Sequence, residues 1–287
     1  MSELEVRTQS YGKSAVRLST VARDGDQHSF TELTLGIELS GDFDAAYDSA
    51  DNALVVPTDT MKNTVYALAK RHGLESLEAF CRLLGRHFVD RFAHVDMATV
   101  AGEESLWKRL ELGDGPHPHA FVSAAGERGK CTVTAVADDL TQECGFTGLK
   151  VLKTTGSAFE GYLVDEFTTL KPTDDRIFAT TIDASWSCPQ PMLDWSAVRS
   201  AVRHEVLAVF ANQHSESVQH TLYEMGKAAL ARCPELEALS LTMPNQHHLL
   251  ANLEPFGMEN PNEVFVPTDE PHGNISATIG RAAAESP

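Results

Sequence analysis

Thr58, Asp59 and Thr60 stand together directly after the apolar run that ends in VVP. A helical pattern starts there, and one capping side chain satisfies the free N–H groups of a first turn. The crowding has two readings: surplus caps, or a hydroxyl with another partner. A threonine hydroxyl both donates and accepts, so Thr58 could pass a proton between an amine and a bound substrate. The amine on offer is Lys13, in the YGK that precedes the first strand pattern. It reads either as a buried base of lowered pKa or as a solvated lysine at a strand end.

A second set lies further along. Residues 152–176, LKTTGSAFEGYLVDEFTTLKPTDDR, place Phe159 after a Thr-Thr-Gly-Ser turn and Arg176 at the start of the next predicted strand. A phenyl face and a two-pronged guanidinium suit a flat anionic heterocycle. The alternatives are a core Phe159 and an Arg176 paired at the surface with Asp174 or Asp175. In HSESVQHTLY, Gln219 falls in the first turn of a predicted helix, where N–H groups point at a possible anion. Its amide offers one donor and one acceptor, or is an ordinary exposed glutamine. In MPNQHHLL, Asn245 and His247 share one face of an extended segment. That face could hold water or dioxygen, with His247 moving protons near neutral pH. His117 with His119, and His247 with His248, resemble metal ligands, but neither pair brings a third ligand at a recognisable spacing. No HExxH occurs, so no metal site is expected.

The elements that must carry these residues follow from periodicity. Residues 14–21 and 32–39 alternate around the turn residues RDGD and predict a hairpin with Leu33, Leu35, Ile37 and Leu39 buried. A helix is predicted from the Thr58 region, and another over residues 75–92 with Leu77, Phe80, Cys81, Leu84 and Phe88 on one face. Extended segments are predicted at 94–100, 105–112, 120–124 and 132–137. The second half repeats the order: strands at 149–154 and 177–186, helices at 194–211 and 217–232, and a strand at 236–243. TMKNTVYALAK from Thr60 also echoes SVQHTLYEMGK from Ser217, although each opens a different helix of its pair. The pattern predicts an α+β fold, with antiparallel sheets and helices packed on one face. Strands that mix polar and apolar residues suit a barrel wall around a wet lumen and oligomerisation through the sheets.

A chain of 287 residues has room for about two domains. With 42% hydrophobic and 22% charged residues it reads as a soluble globular protein. No apolar run approaches the roughly 18 residues of a membrane helix. MSELEVRTQS has no secretory pattern, and the terminal AAAESP lacks a peroxisomal tripeptide, so the cytoplasm is expected. The net charge of −18 repels phosphate backbones, which excludes nucleic acid as a partner. An anionic substrate would need a local cluster of donors against that field. Cys81, Cys131, Cys144, Cys188 and Cys233 are scattered with no CxxC, so neither a disulfide framework nor a cysteine zinc site is expected.

YGKSAVRL, VVPTDTMKNTVYALAK, PHPHAF, LKTTGSAFEGYLVDEFTTL, TDDRIFATT, SVQHTLYEMG, MPNQHH and NPNEVFVPTDEPHG, in this order from about residue 11 to residue 281, together resemble the urate oxidase (uricase) family. The resemblance implies tandem tunnelling-fold modules, residues 10–138 and 139–283, in a homotetramer around a barrel-walled tunnel. It implies oxidation of urate by O2 and water to 5-hydroxyisourate and H2O2, with no metal or organic cofactor. It places active sites between subunits. Lys13, Thr58 and Asp59 would come from one chain; Phe159, Leu170, Arg176, Ser217, Val218, Gln219, Asn245 and His247 would come from its neighbour. The implied roles are a Lys13–Thr58 proton relay extended by His247, an Arg176/Gln219 clamp on urate, Phe159 stacked on its ring, and Asn245 holding dioxygen or water. Asp59 would add a backbone contact. Asp59 or Thr60 would then cap the helix and leave Thr58 to the relay.

Relatives usually carry a small residue before the Thr-Asp pair. Pro57 stands there in this chain, and proline holds Val56 extended and stiffens or shifts the loop. Zinc-dependent pterin enzymes and GTP cyclohydrolases share the tunnelling fold but need a metal cluster that this spacing does not supply. A purine-binding module without turnover would break the relay, and a purely structural oligomer would have no use for it.

Overall fold

A computed structural model describes residues 5–113, 115–187 and 194–282 of the protein. Cys188, the C-terminal tripeptide and the end of the second expected module lie outside the described residues. The elements in chain order are β1 (Tyr11–Asp24), β2 (Gln27–Gly41), a short α1 (Asp44–Asp48), α2 (Thr58–His72), α3 (Leu77–Arg91), β3 (Val95–Leu112), β4 (Gly115–Val136), β5 (Leu140–Lys153), β6 (Phe178–Ser187), α4 (Trp195–Asn212), α5 (Val218–Arg232), β7 (Ala238–Leu250) and β8 (Phe265–Gly280). Strands, a helical pair and strands thus follow one another twice. Two compact units divide the described chain: residues 5–146 with 187 and 194–196, and residues 147–186 with 197–282.

In the first unit the strands lie in the order β1-β2-β3-β4, followed by the first half of β5. The pairs β1/β2, β2/β3 and β3/β4 are antiparallel. Strand alternation sends Leu33, Leu35, Ile37 and Leu39 of β2 to one face, and all four are buried, as the pattern predicts. Ala98, Val100, Cys131 and Val133 continue that face on β3 and β4. The 3.6-residue stripe of α3 covers it with Leu77, Phe80, Cys81, Leu84 and Phe88. Each such side chain contributes about 1.5–3 kcal/mol when fully buried. The opposite positions of β2, among them Glu32 and Thr34, stay half-exposed.

The second unit holds the rest of β5 and then β6-β7-β8. The β7/β8 pair is antiparallel, and Leu239, Leu241 and Met243 are buried on one face of β7. Val202, Val206, Leu222, Met225 and Ala229 bring the apolar stripes of α4 and α5 into this core. Gly226 lets α5 approach β8 closely, since a Cβ there would lie 2.8 Å from Ile279.

Several expectations are corrected. YGK lies inside β1 and not before it. The four extended segments predicted between residues 94 and 137 are two long strands. Register shifts at Ser105/Trp107 and Arg109/Glu111, with Ala125 at φ 63°, interrupt the alternation without ending the pairing. β7 runs on through MPNQHHLL. The first half of β5, the short α1 and all of β8 are additional. β8 is mostly exposed, so it lacks the buried stripe that marks a strand in sequence. Its ladder with β7 holds it.

Gly102 of β3 sits beneath α3, where a Cβ would meet Leu77, Cys81 and Leu35 at 2.7–2.9 Å. Gly102→Ala is therefore expected to destabilise the protein by about 1–3 kcal/mol through overpacking. A lower urea midpoint with an unchanged slope would show this; an unchanged midpoint would mean that the α3 side chains have room to give.

Candidate active site

The candidate residues fall into two groups, one in each unit. The first sits where β1 and α2 begin. Gly12 lets β1 press onto β2, because a Cβ there would collide with the Ile37 carbonyl. Lys13 pairs with Ile37, and a bulge follows in which Ser14 and Ala15 (φ 55°) oppose Gly36. A bulge re-aims the side chains beside it. Lys13 is half-buried, short of the buried base that one reading allows. The Tyr11 hydroxyl accepts from the Val56 N–H at 2.8 Å and donates to the Val56 carbonyl at 3.1 Å. One phenol thus ties the residue before Pro57 to the strand that carries Lys13. Burial, above all, pushes the Tyr11 phenol up, so it keeps the proton it donates.

Pro57 is the N-cap of α2, with φ −56° and no side-chain cap bond; its carbonyl accepts from Met61 at 3.2 Å. Asp59 and Thr60 therefore do not cap the helix, contrary to expectation. The helix starts two residues earlier than a capping Asp59 requires, which puts all three side chains inside the first turn. Asp59 instead pairs with Lys62 and accepts from the Asn63 amide at 2.8 Å. The Lys62 hydrogen bond, then its charge, pulls the Asp59 carboxyl down, and Lys13 adds a smaller pull. The half-buried Thr58 hydroxyl has no hydrogen-bond partner among the described residues.

The second group is built on the loop between β5 and β6. The backbones of Phe159 and Thr173 exchange two hydrogen bonds, 2.8 and 3.2 Å, closing the loop at its neck. Ala158 donates to the Ser215 carbonyl at 2.7 Å and Ser215 to the Gly156 carbonyl at 2.9 Å, lacing the loop to the approach of α5. There Ser217 caps the helix by accepting from His220 at 3.1 Å, which leaves the N–H groups of Val218 and Gln219 ahead of the first helical bonds. Val218 is buried, while Gln219 is exposed on the second residue of α5.

Arg176 ends the loop two residues before β6. The sequence left it a surface pair with Asp174 or Asp175, and the structure shows another arrangement. The Asp175 carboxylate accepts from the Thr155 hydroxyl and the Gly156 N–H, both at 2.8 Å. These hydrogen bonds, led by Thr155, hold its carboxyl below the usual range. Arg176 makes no ion pair among the described residues; its Cζ lies 5.3 Å from the Phe159 ring centre, and burial pushes its pKa down. It also lines a cleft of about 470 Å³ with Thr173, Ile177, His248 and Phe265. Phe159 is half-buried and stacks on Tyr162, so it is not a core residue. Leu170 is exposed, and its carbonyl accepts from the Tyr162 hydroxyl at 2.7 Å.

Asn245 and His247 are half-buried positions of β7. Asn245 pairs with Gly273 and His247 with Thr268, so the partner strand bulges out between them. Within the second unit the structure therefore brings Phe159, Leu170, Arg176 and His247 into one neighbourhood, with the Ser217–Gln219 turn laced to it. Tyr11, Tyr162, Asp175 and Ser215 support the two groups and were not singled out from sequence. Among the described residues no three His, Cys, Asp or Glu side chains converge as metal ligands.

Burial lowers the pKa of His247 most, and the charges of Arg176 and His272 lower it further. A depressed imidazole pKa stabilises the fold above the ordinary value of about 6.5, and that contribution is lost as pH falls through the folded value. His247 is thus neutral at pH 7 and able to accept a proton. By proton NMR its titration midpoint should lie below that of a free histidine, and Arg176→Gln should move it upward. An unmoved midpoint would mean that the guanidinium does not act on the imidazole.

The comparisons with known proteins agree along the chain. A family model described as uricase matches residues 9–134 and 142–276. The uricase of Arthrobacter globiformis is 41% identical over 276 residues, 96% of this chain and 90% of that protein. The uricase of Danio rerio is 38% identical over 282 residues, 96% of this chain and 94% of that protein. The crystal structure of uricase from Arthrobacter globiformis matches with a TM-score of 0.91 at 40% identity, over 100% of this chain and 98% of that one. That of a uricase from Bacillus fastidious, 22% identical with a TM-score of 0.81 over 96% and 94%, shares the fold. The matched segments contain every candidate residue from Lys13 to His247. The chain belongs to the uricase family.

Proposed function

We propose that the protein oxidises urate with O2 and water to 5-hydroxyisourate and H2O2, using neither a metal nor an organic cofactor. The observation that carries this reading is Arg176, a half-buried guanidinium with no ion pair among the described residues, set over the Phe159 ring. A cation held from water without a partner costs free energy until an anion arrives. A flat anion satisfies both the guanidinium and the ring face. Arg176 and Gln219 clamp urate, and Phe159 stacks on it. Hydrogen bonds to a charged partner are worth about 1.5–3 kcal/mol each, enough to orient the ring against a surface of net charge −18. Leu170, Ser217 and Val218 line the ring's edge, and the backbone of Asp59 adds a contact.

Deprotonated urate is electron-rich and can itself reduce dioxygen, so the protein's tasks are proton removal, orientation and a pocket for O2. Lys13 and Thr58 form the relay, with the Thr58 hydroxyl uncommitted to capping and therefore able to serve both neighbours. His247, neutral at pH 7, extends it, and Asn245 holds dioxygen or water above the ring. Two electrons leave urate for O2, water supplies the 5-hydroxyl, and the released protons travel through the relay to peroxide.

In the same reading the protein is a homotetramer of tunnelling-fold modules, residues 10–138 and 139–283, whose sheets wall a tunnel. Lys13, Thr58 and Asp59 of one chain then complete a site with Phe159, Arg176, Gln219, Asn245 and His247 of another. A cytoplasmic location belongs to the same reading.

Protein purified with a chelator present should remove the ultraviolet band of urate in aerated buffer and form peroxide in equal amount. Lys13→Ala and Thr58→Ala should each lower kcat/KM by about 10²–10⁴, the range of a lost proton-transfer group. Folded protein that leaves urate untouched would sink the reading. Full activity in both variants would remove the relay from it.

A further inference from the structure

Phe159 has two faces, and the chain covers one of them itself. Tyr162 stacks on the ring with centroids 5.0 Å apart and planes 14° from parallel. The chain folds back to allow this at Gly161, whose φ of 69° is left-handed and favours glycine. The same tyrosine then reaches across the loop, its hydroxyl donating to the Leu170 carbonyl at 2.7 Å. The neck below is closed by the Phe159–Thr173 hydrogen bonds. The tip beyond is set by the Asp165 carboxylate, which accepts from the Phe167 N–H at 3.0 Å and the Thr168 hydroxyl at 2.9 Å. Tyr162 thus links Phe159 and Leu170 to each other.

From this geometry we infer that Tyr162 is a positioning residue of the site, fixing the plane of Phe159 and the placement of Leu170 so that a planar heterocycle meets a rigid ring face. The inference rests on the proposed urate site and deepens it. A phenyl ring rotates about two side-chain torsions, and its orientation sets how well a flat ligand overlaps it. With one face held against Tyr162 the ring has a defined plane, against which a flat ligand can lie beside the Arg176 guanidinium, 5.3 Å from the ring centre. The tether to Leu170 sets the distance between stacking face and loop edge, which selects a ring of one width. The observed contacts of Tyr162 go to Phe159 and Leu170, both assigned to binding, so it acts on binding rather than on the chemical step.

Wild type, Tyr162→Leu and Tyr162→Phe would be compared in urate kinetics and in calorimetric titration with xanthine, a planar oxopurine, with melting curves as a check on folding. Tyr162→Leu should raise KM for urate about tenfold and weaken xanthine to a similar degree, with kcat within about twofold, the signature of lost uniform binding. Tyr162→Phe keeps the stack but loses the tether to Leu170, so its KM and xanthine affinity should fall between those of wild type and Tyr162→Leu. If Tyr162→Leu does not fold, Tyr162→Phe and Gly161→Ala carry the test, with KM rising and kcat held in Gly161→Ala, where the turn is strained. Wild-type KM and xanthine affinity in Tyr162→Leu would overturn the inference. So would equal losses of kcat in all variants in step with melting temperature. A wild type that binds xanthine without oxidising urate would overturn the oxidation reading alone, and the xanthine series would still decide the role of Tyr162.

Discussion

A guanidinium that makes no ion pair among the described residues organises the second unit. Asp175, the nearest carboxylate in sequence, is committed to the Thr155–Gly156 turn. Had it paired with the guanidinium, the cation would be neutralised. The same positive charge, added to burial, keeps His247 neutral. One guanidinium thus bears on both the charge of the loop and the titration of the imidazole. On a chain with 41 acidic and 23 basic residues, such local separation of charge is what lets an anion approach.

The first unit solves a different problem, which is to hold a hydroxyl still without occupying it. Tyr11 does this through backbone, gripping both polar groups of Val56. Pro57 adds a fixed φ and contributes no capping side chain. Ser76 and Ser217 show the contrast: each starts its helix as an ordinary cap, with its hydroxyl consumed by the first turn. At α2 the cap position is silent, and Thr58 keeps its hydroxyl for other use.

Much of this was legible in the sequence where short-range periodicity decides the outcome. The β1–β2 hairpin, the stripes of α3 and α5 and the buried face of β7 follow from residues close in the chain. The names of the candidate residues came from motif blocks in order, and the matched segments contain them. What stayed hidden depends on partners distant in sequence. No local signal tells that Tyr11 will grip Val56, 45 residues away, or that Asp175 will leave Arg176 for Thr155. β8 escaped because its cohesion lies in a ladder and not in an apolar stripe. The capping of α2 was misread because three good capping residues follow a proline that takes the cap position itself.

The buried thiols of the first unit have a bearing on durability. Cys131 and Cys144 lie with their sulfurs 3.8 Å apart, and Cys81 adjoins them in the same apolar layer. Hydrogen bonding with Cys131, and then burial, pushes the Cys81 and Cys144 thiols up, far from the thiolate that oxidants attack. An oxidant in solution reaches exposed sulfur first, and here the thiols are sealed beneath α3. Met61, Met225 and Met243 are likewise buried, whereas Met258 is exposed. Among the described sulfurs, the wear of long service would be written first on the thioether of Met258.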